Sequence, residues 1–233
     1  MKPKVVFLIT CEHSSNAVPK ELRYFFKSHP QILQTHAAYD LGAMKVAKHL
    51  SKSFGSKLFQ GEFSRLVFDL NRSPDHPKVI HPMVRAVISD ADTERYLRQH
   101  QKHRDSVHDW IESKIDNGLS VIHLGIHSFT PVFNGKVRRC DRGVLFDPAR
   151  TFESDAASLM IELSKEGDAQ LIIRRNDPYR GTSDGLTTWL RTCFKDRSYA
   201  GIEIELNQKH CKNAKIWKSH AKWLSQFITT LNS

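Results

Sequence analysis

At 233 residues, 39% hydrophobic and 26% charged, the chain is long enough for one substantial core, and its composition excludes a disordered or fibrous protein. No apolar run approaches the roughly 18 residues of a spanning helix, so no membrane partner is expected. The formal net charge of +10 raises nucleic acid as a partner, but its basic clusters accompany no zinc-finger spacing, RNP-like strand or glycine clamp, and a small acidic substrate fits the arginines better.

The chain opens on Met1-Lys2-Pro3-Lys4 and an apolar run over residues 5–9, a superficial likeness to a secretory leader. That run is too short, and Glu12 and His13 end it, so residues 5–10, rich in β-branched side chains, read as a buried strand. Leu41, Met44, Ala47, Leu50 and Phe54 recur at helical spacing over residues 40–54, closed by Gly55. Residues 66–70 read as a second buried strand. Asp90 or Asp92 caps a helix over 93–117, with Gly118 beyond its end. Strands follow at 121–126 and 143–146, a helix at 152–165, strands at 171–174 and 202–206, and a last helix at 213–231. There is no repeat, linker or low-complexity stretch, and residues 1–233 read as a single catalytic domain. The alternation predicts an α/β fold, a three-layer sandwich with a largely parallel mixed sheet and helices on both faces. Cys11, Cys140, Cys193 and Cys211 lie far apart without a C-x-x-C pair, which suits reduced thiols in a cytoplasm. Cys11 reads as apolar filler at a strand end, with a nucleophile as the alternative.

In such sheets, sites form where loops leave the carboxyl ends of the strands. That rule gathers Cys11-Glu12-His13, Asn71-Arg72 and His127-Ser128 on one rim, with Glu203 and Glu205 on the last strand. His13 and His127 with one carboxylate are a Zn²⁺ donor set that keeps a fourth position open; a lone histidine at a strand end is more often structural or exposed than a ligand. Glu203 and Glu205, two apart, face the same side of a strand and supply a candidate proton carrier. Arg65 and Arg72 are candidates for a substrate carboxylate, which a guanidinium binds through two bonds, or for structural pairs with Asp69 or Asp75. Asn71 adds a donor beside Arg72, Arg175 and Arg180 are weaker candidates, and His103 falls on an amphipathic helix.

Six ordered blocks then narrow the reading. Residues 11–19 (CEHSSNAVP), 36–43 (HAAYDLGA), 64–72 (SRLVFDLNR), 127–135 (HSFTPVFNG), 176–179 (NDPY) and 201–205 (GIEIE) together resemble the N-formylglutamate amidohydrolase family. The resemblance implies a fold similar to the zinc exopeptidases and zinc-dependent cell-wall amidases. It implies Zn²⁺ held by His13, His127 and Asp40, with Glu12 and Asn16 as alternatives to Asp40. It makes Glu205 the general base, with Glu203 as the second candidate, and places Arg65, Asn71, Arg72, Asn176 and Arg180 toward the substrate. The implied reaction is hydrolysis of the amide of an N-formyl or N-acyl acidic amino acid. A peptide or cell-wall amidase on the same scaffold, or a basic binding protein without activity, is the alternative, and the oligomeric state is open. Asn207 and Lys209 depart from the arginine and aspartate that many family members carry after the glutamate.

Overall fold

Strand β1 (Val5–Cys11) lies between β2 (Lys57–Gln60) and β3 (Ser120–Phe129), parallel to both. The structure is a computed structural model that describes residues 4–233; residues 1–3 of the leader-like start lie outside it. A short antiparallel hairpin, β4 (Val132–Phe133) and β5 (Lys136–Val137), stands apart from the sheet. The sheet continues through β6 (Arg142–Leu145), β7 (Ile173–Arg175) and β8 (Tyr199–Asn207) in the order β2-β1-β3-β8-β6-β7. Only the β6–β8 pairing is antiparallel among these neighbours, so the sheet is mixed and largely parallel.

The helices are α1 (Arg23–Lys27), α2 (Ala43–Phe54), α3 (Pro82–Arg85), α4 (Asp90–Asp116), α5 (Thr151–Gly167), α6 (Leu186–Cys193) and α7 (Ala214–Asn232). Because side chains alternate along a strand, β1 and β8 each present one apolar face, and β3 does so between Ser120 and Ser128 at its ends. Phe7, Ile9, Ile122, Leu124, Ile126, Ile202, Ile204 and Leu206 pack with α2, α5 and α7 in the main core. On the opposite face Leu8, Val121 and Tyr199 meet Val107 and Ile111 of α4 and Leu186 and Leu190 of α6. The helices therefore cover both faces, as a three-layer α/β sandwich requires. The second face turns polar toward the carboxyl ends of the strands, where Thr10, His123, His127, Glu203, Glu205 and Asn207 follow in the alternate positions. Arg142, fully buried, ties the layers together by donating to His220 at 3.0 Å, Ser164 at 2.7 Å and Asp168 at 2.8 Å. No described helix is long and apolar enough to cross a membrane.

Several expectations are corrected. Residues 66–70 are buried but form no strand: Asp69 N donates to Val79 O at 2.7 Å and His81 N to Leu66 O at 3.2 Å, in an irregular loop. Leu66, Val67, Phe68 and Leu70 fill a separate core with Leu22, Phe26, Ile80, Val84 and Tyr96. A short apolar run signals burial and cannot by itself tell strand from packed loop. The strand beside β1 is β2, an edge strand with exposed Lys57 and Gln60 and hence no apolar signature. Helix α2 starts at Ala43, not Asp40, because Gly42 adopts φ +85° at its N-cap. Any side chain at Gly42 would also meet the Trp217 ring at 2.6 Å. Ser89, not Asp90 or Asp92, caps α4, accepting from Asp92 N at 3.1 Å. Helix α6 and the hairpin were not expected.

Leu124 is fully buried at the centre of the main core. Leu124→Ala should lower unfolding free energy by about 2–5 kcal/mol, read from chemical denaturation midpoints at unchanged slope.

Candidate active site

His127 belongs to β3, directly opposite Glu205 of β8, so the parallel register alone puts both on the polar face. His13 lies two residues past β1. The loop that carries it is fixed by Gly61 N donating to Cys11 O at 3.1 Å and Asp40 N donating to His13 O at 2.9 Å. A side chain at Gly61 would stand 2.0 Å from the Glu12 carbonyl, so the close approach requires glycine there. Release of Asp40 from the helix leaves its carboxylate free to turn inward.

Asp40 Oδ2 lies 3.0 Å from His127 Nδ1 and 3.3 Å from His13 Nδ1, and accepts from Ser128 N at 3.2 Å. The other ring nitrogen of each histidine faces a second acid: His13 Nε2 is 2.6 Å from Asp69 Oδ1, and His127 Nε2 is 3.1 Å from Glu12 Oε2, out of line for a hydrogen bond. All five side chains are buried. One ligand atom from each of His13, Asp40 and His127 lies within 4.8 Å of the others, as three donors around one ion require. The donor set fits Zn²⁺, with two imidazoles, one carboxylate and a carboxylate behind each imidazole to hold its orientation. Glu12 and Asn16 do not join the three: Glu12 stands behind His127, and Asn16 donates to Leu33 O at 2.9 Å.

Glu205 faces this group with Oε2 buried and without a hydrogen-bond partner. Burial, opposed by His127 and reinforced by Asp40 and Glu203, pushes its carboxyl up to about 8. A cation beside it would pull that value back down. Glu203 differs, for its Oε1 accepts from Asn71 Nδ2 at 3.2 Å and Thr187 Oγ1 at 3.3 Å. Burial works against charge on His127, but Asp40 and Glu12 beside it drive its imidazole well above the usual range. Asp69 is held well below the ordinary carboxylate range: burial opposes this, and Arg65 and His13 outweigh it.

The basic residues divide. Arg65 is committed to Asp69 through Nε at 3.0 Å and Nη2 at 2.6 Å, with Asp40 at 3.8 Å. Arg72, about one-third exposed, lies 4.0 Å from Asp69 and 3.9 Å from Asp184, contacts loose enough to yield to a ligand. Asn71 is fully engaged, donating to Glu203 and accepting from Leu186 N at 2.8 Å. Asn176 Oδ1 accepts from Phe146 N and Gly181 N, both at 3.0 Å, and so shapes its own loop. Arg180 is exposed beside Tyr179. His103 packs edge-on against Phe59 rather than against the three donors. Burial, with Glu12 and Asp40 nearby, pushes the Cys11 thiol up, so it packs as an apolar group. Sequence reasoning missed the places of Asp69 and Glu12 behind the imidazoles. The signal available was that both stand within blocks of the motif.

Residues 5–211 match the family model described as N-formylglutamate amidohydrolase. No curated protein matches the chain. Among solved structures, that of gene product Atu2144 from Agrobacterium tumefaciens is 28% identical, with a TM-score of 0.81 over 99% of this chain and 93% of that one.

His13→Ala, His127→Ala and Asp40→Ala should each abolish retention of a divalent cation through gel filtration, read by metal analysis. Glu12→Gln keeps shape but removes the acid behind His127, so it should keep the cation at about 10–100-fold lower affinity in a chelator competition.

Proposed function

This chain belongs to the N-formylglutamate amidohydrolase family, a family of amide hydrolases, and on that premise we propose that it releases the acyl group of an N-formyl or similar N-acyl acidic amino acid with one Zn²⁺ held by His13, Asp40 and His127. The observation that carries the reading is the buried, unpartnered Glu205 Oε2 on the strand beside His127, facing the three donors. When bound, Zn²⁺ supplies a Lewis acid that polarises the scissile carbonyl.

The chain's own residues do the remainder. Glu205 takes a proton from the attacking water and returns it to the departing amine, a task for a carboxylate with a free oxygen and a value near the working pH. Glu203, engaged by Asn71 and Thr187, positions the β8 rim and moves no proton. Arg72 captures the carboxylate on the carbon that bears the scissile nitrogen. Its planar fork holds that group in register with the site. Asn71 fixes the loop that carries Arg72, and Arg180 adds positive charge at the rim. Arg65 acts on the donors through Asp69, while Asn176 shapes the loop before Arg180. The four free cysteines suit a reducing cytoplasm.

Purified protein should contain about one zinc per chain and hydrolyse N-formylglutamate in a screen of N-acyl amino acids and peptide amides. Turnover of peptide or cell-wall amides alone would replace this substrate assignment. Glu205→Gln should cut kcat by about 10²-fold or more at unchanged zinc content, and Glu203→Gln should do less. Arg72→Lys keeps the charge but loses the fork, so KM should rise markedly with zinc retained.

A further inference from the structure

Arg138 follows the β4–β5 hairpin and takes no part in the arrangement above. Its guanidinium sits among three aromatic rings, 4.6 Å from the Phe133 centroid, 5.0 Å from Tyr179 and 5.7 Å from Phe129. Nη1 donates to the Tyr179 hydroxyl at 3.0 Å and reaches Thr130 O at 3.5 Å. Arg65 and Arg72 each face acids, whereas among the described residues no carboxylate pairs with Arg138. A guanidinium oriented by neutral groups, with its charge unanswered, is ready for an anion.

Its anchoring places it relative to the site. Asn207 Nδ2 donates to the Arg138 carbonyl at 3.2 Å, and Asn207 shares the face of β8 with Glu205, two residues away. Phe129 likewise shares the face of β3 with His127. On the other side of Glu205, Asn71, the neighbour of Arg72, donates to Glu203. The two arginines are thus tethered four residues apart on β8, about 13 Å, with Glu205 between them. One guanidinium serves the carboxylate next to the scissile bond. A second on the far side of Glu205 suits a carboxylate elsewhere on the substrate.

We propose that Arg138 is a specificity-determining residue that binds the side-chain carboxylate of a diacid substrate while Arg72 holds the α-carboxylate. The proposal deepens, and rests on, the reading of the site as an N-acyl amino-acid hydrolase. Phe133 and Tyr179 are 46% and 41% exposed, unusual for large aromatics. Their faces offer an apolar wall to the methylenes that separate the two carboxylates of a glutamate-like substrate.

The test compares kcat/KM for N-formyl-L-glutamate with that for N-formyl-L-glutamine, in which only the side-chain carboxylate is neutralised, for wild type, Arg138→Gln and Arg138→Lys. Wild type should favour the diacid, and Arg138→Gln should lower that ratio by about 10-fold or more, the worth of a charge-assisted bond. Arg138→Lys should fall between, and its melting temperature guards against a folding defect. Calorimetric titration with glutamate and glutamine, independent of turnover, should show the same loss of preference. A ratio preserved in Arg138→Gln, or wild type without preference for the diacid, overturns this proposal alone. Wild type that hydrolyses no N-acyl amino acid overturns the functional reading, and this proposal with it.

Discussion

The Asp40 carboxylate stands between two imidazoles, with Asp69 behind one and Glu12 behind the other, and all five side chains are out of water. Burying charge at this density is tolerable only if it is balanced within the group, since a lone buried ion is destabilising by several kcal/mol. Three carboxylates less the guanidinium of Arg65 leave two negative charges, the charge of one divalent cation. The neighbouring Glu205 is pushed up to about 8 by burial, which disfavours a further negative charge in the group. Protons on the imidazoles answer the same demand, which is why both histidines are raised despite their burial.

The surrounding architecture follows from that requirement. The donors come from three chain segments with different backbone constraints: a ladder position for His127, a loop fixed by Gly61 for His13, and a turn freed by Gly42 for Asp40. The apolar face of β1, β3 and β8 buries enough surface against α2, α5 and α7 to hold these strands while their other face carries ionisable groups.

Much of this was legible in the chain. Residues 202–207 alternate Ile, Glu, Ile, Glu, Leu, Asn, and period two by itself assigns both glutamates to one face. The two helices α2 and α7 and the sandwich layering were likewise readable from periodicity. What escaped was whatever depends on distant partners. The run at 66–70 has the composition of a strand, but its hydrogen bonds go to residues 79 and 81, which local pattern does not encode. Strand β2 is half-exposed and polar at both ends, and gains its identity only from lying against β1. Asp40 lies against both histidines although no helix begins there, because Gly42 delays the start of α2 to Ala43. Arg65 and Asn176 carry the residue types of substrate contacts, and only the folded chain reveals that Arg65 Nε and Nη2 bind Asp69 and that Asn176 Oδ1 accepts from two backbone amides.

The strand order has a further meaning for how the molecule comes into being. Strand β3 is flanked by β1, more than a hundred residues before it, and by β8, about seventy residues after it. During synthesis the segments carrying His13, Asp40, Asp69 and His127 emerge well before β8 does. Until then β3 has one open edge, and the half-built sheet must wait beside the ribosome with apolar surface showing, a state prone to aggregation. Arrival of β8 closes that edge in the same event that brings Glu205 opposite His127. Completion of the sheet and convergence of these side chains are thus one step, and no nascent chain short of β8 can set Glu205 opposite His127.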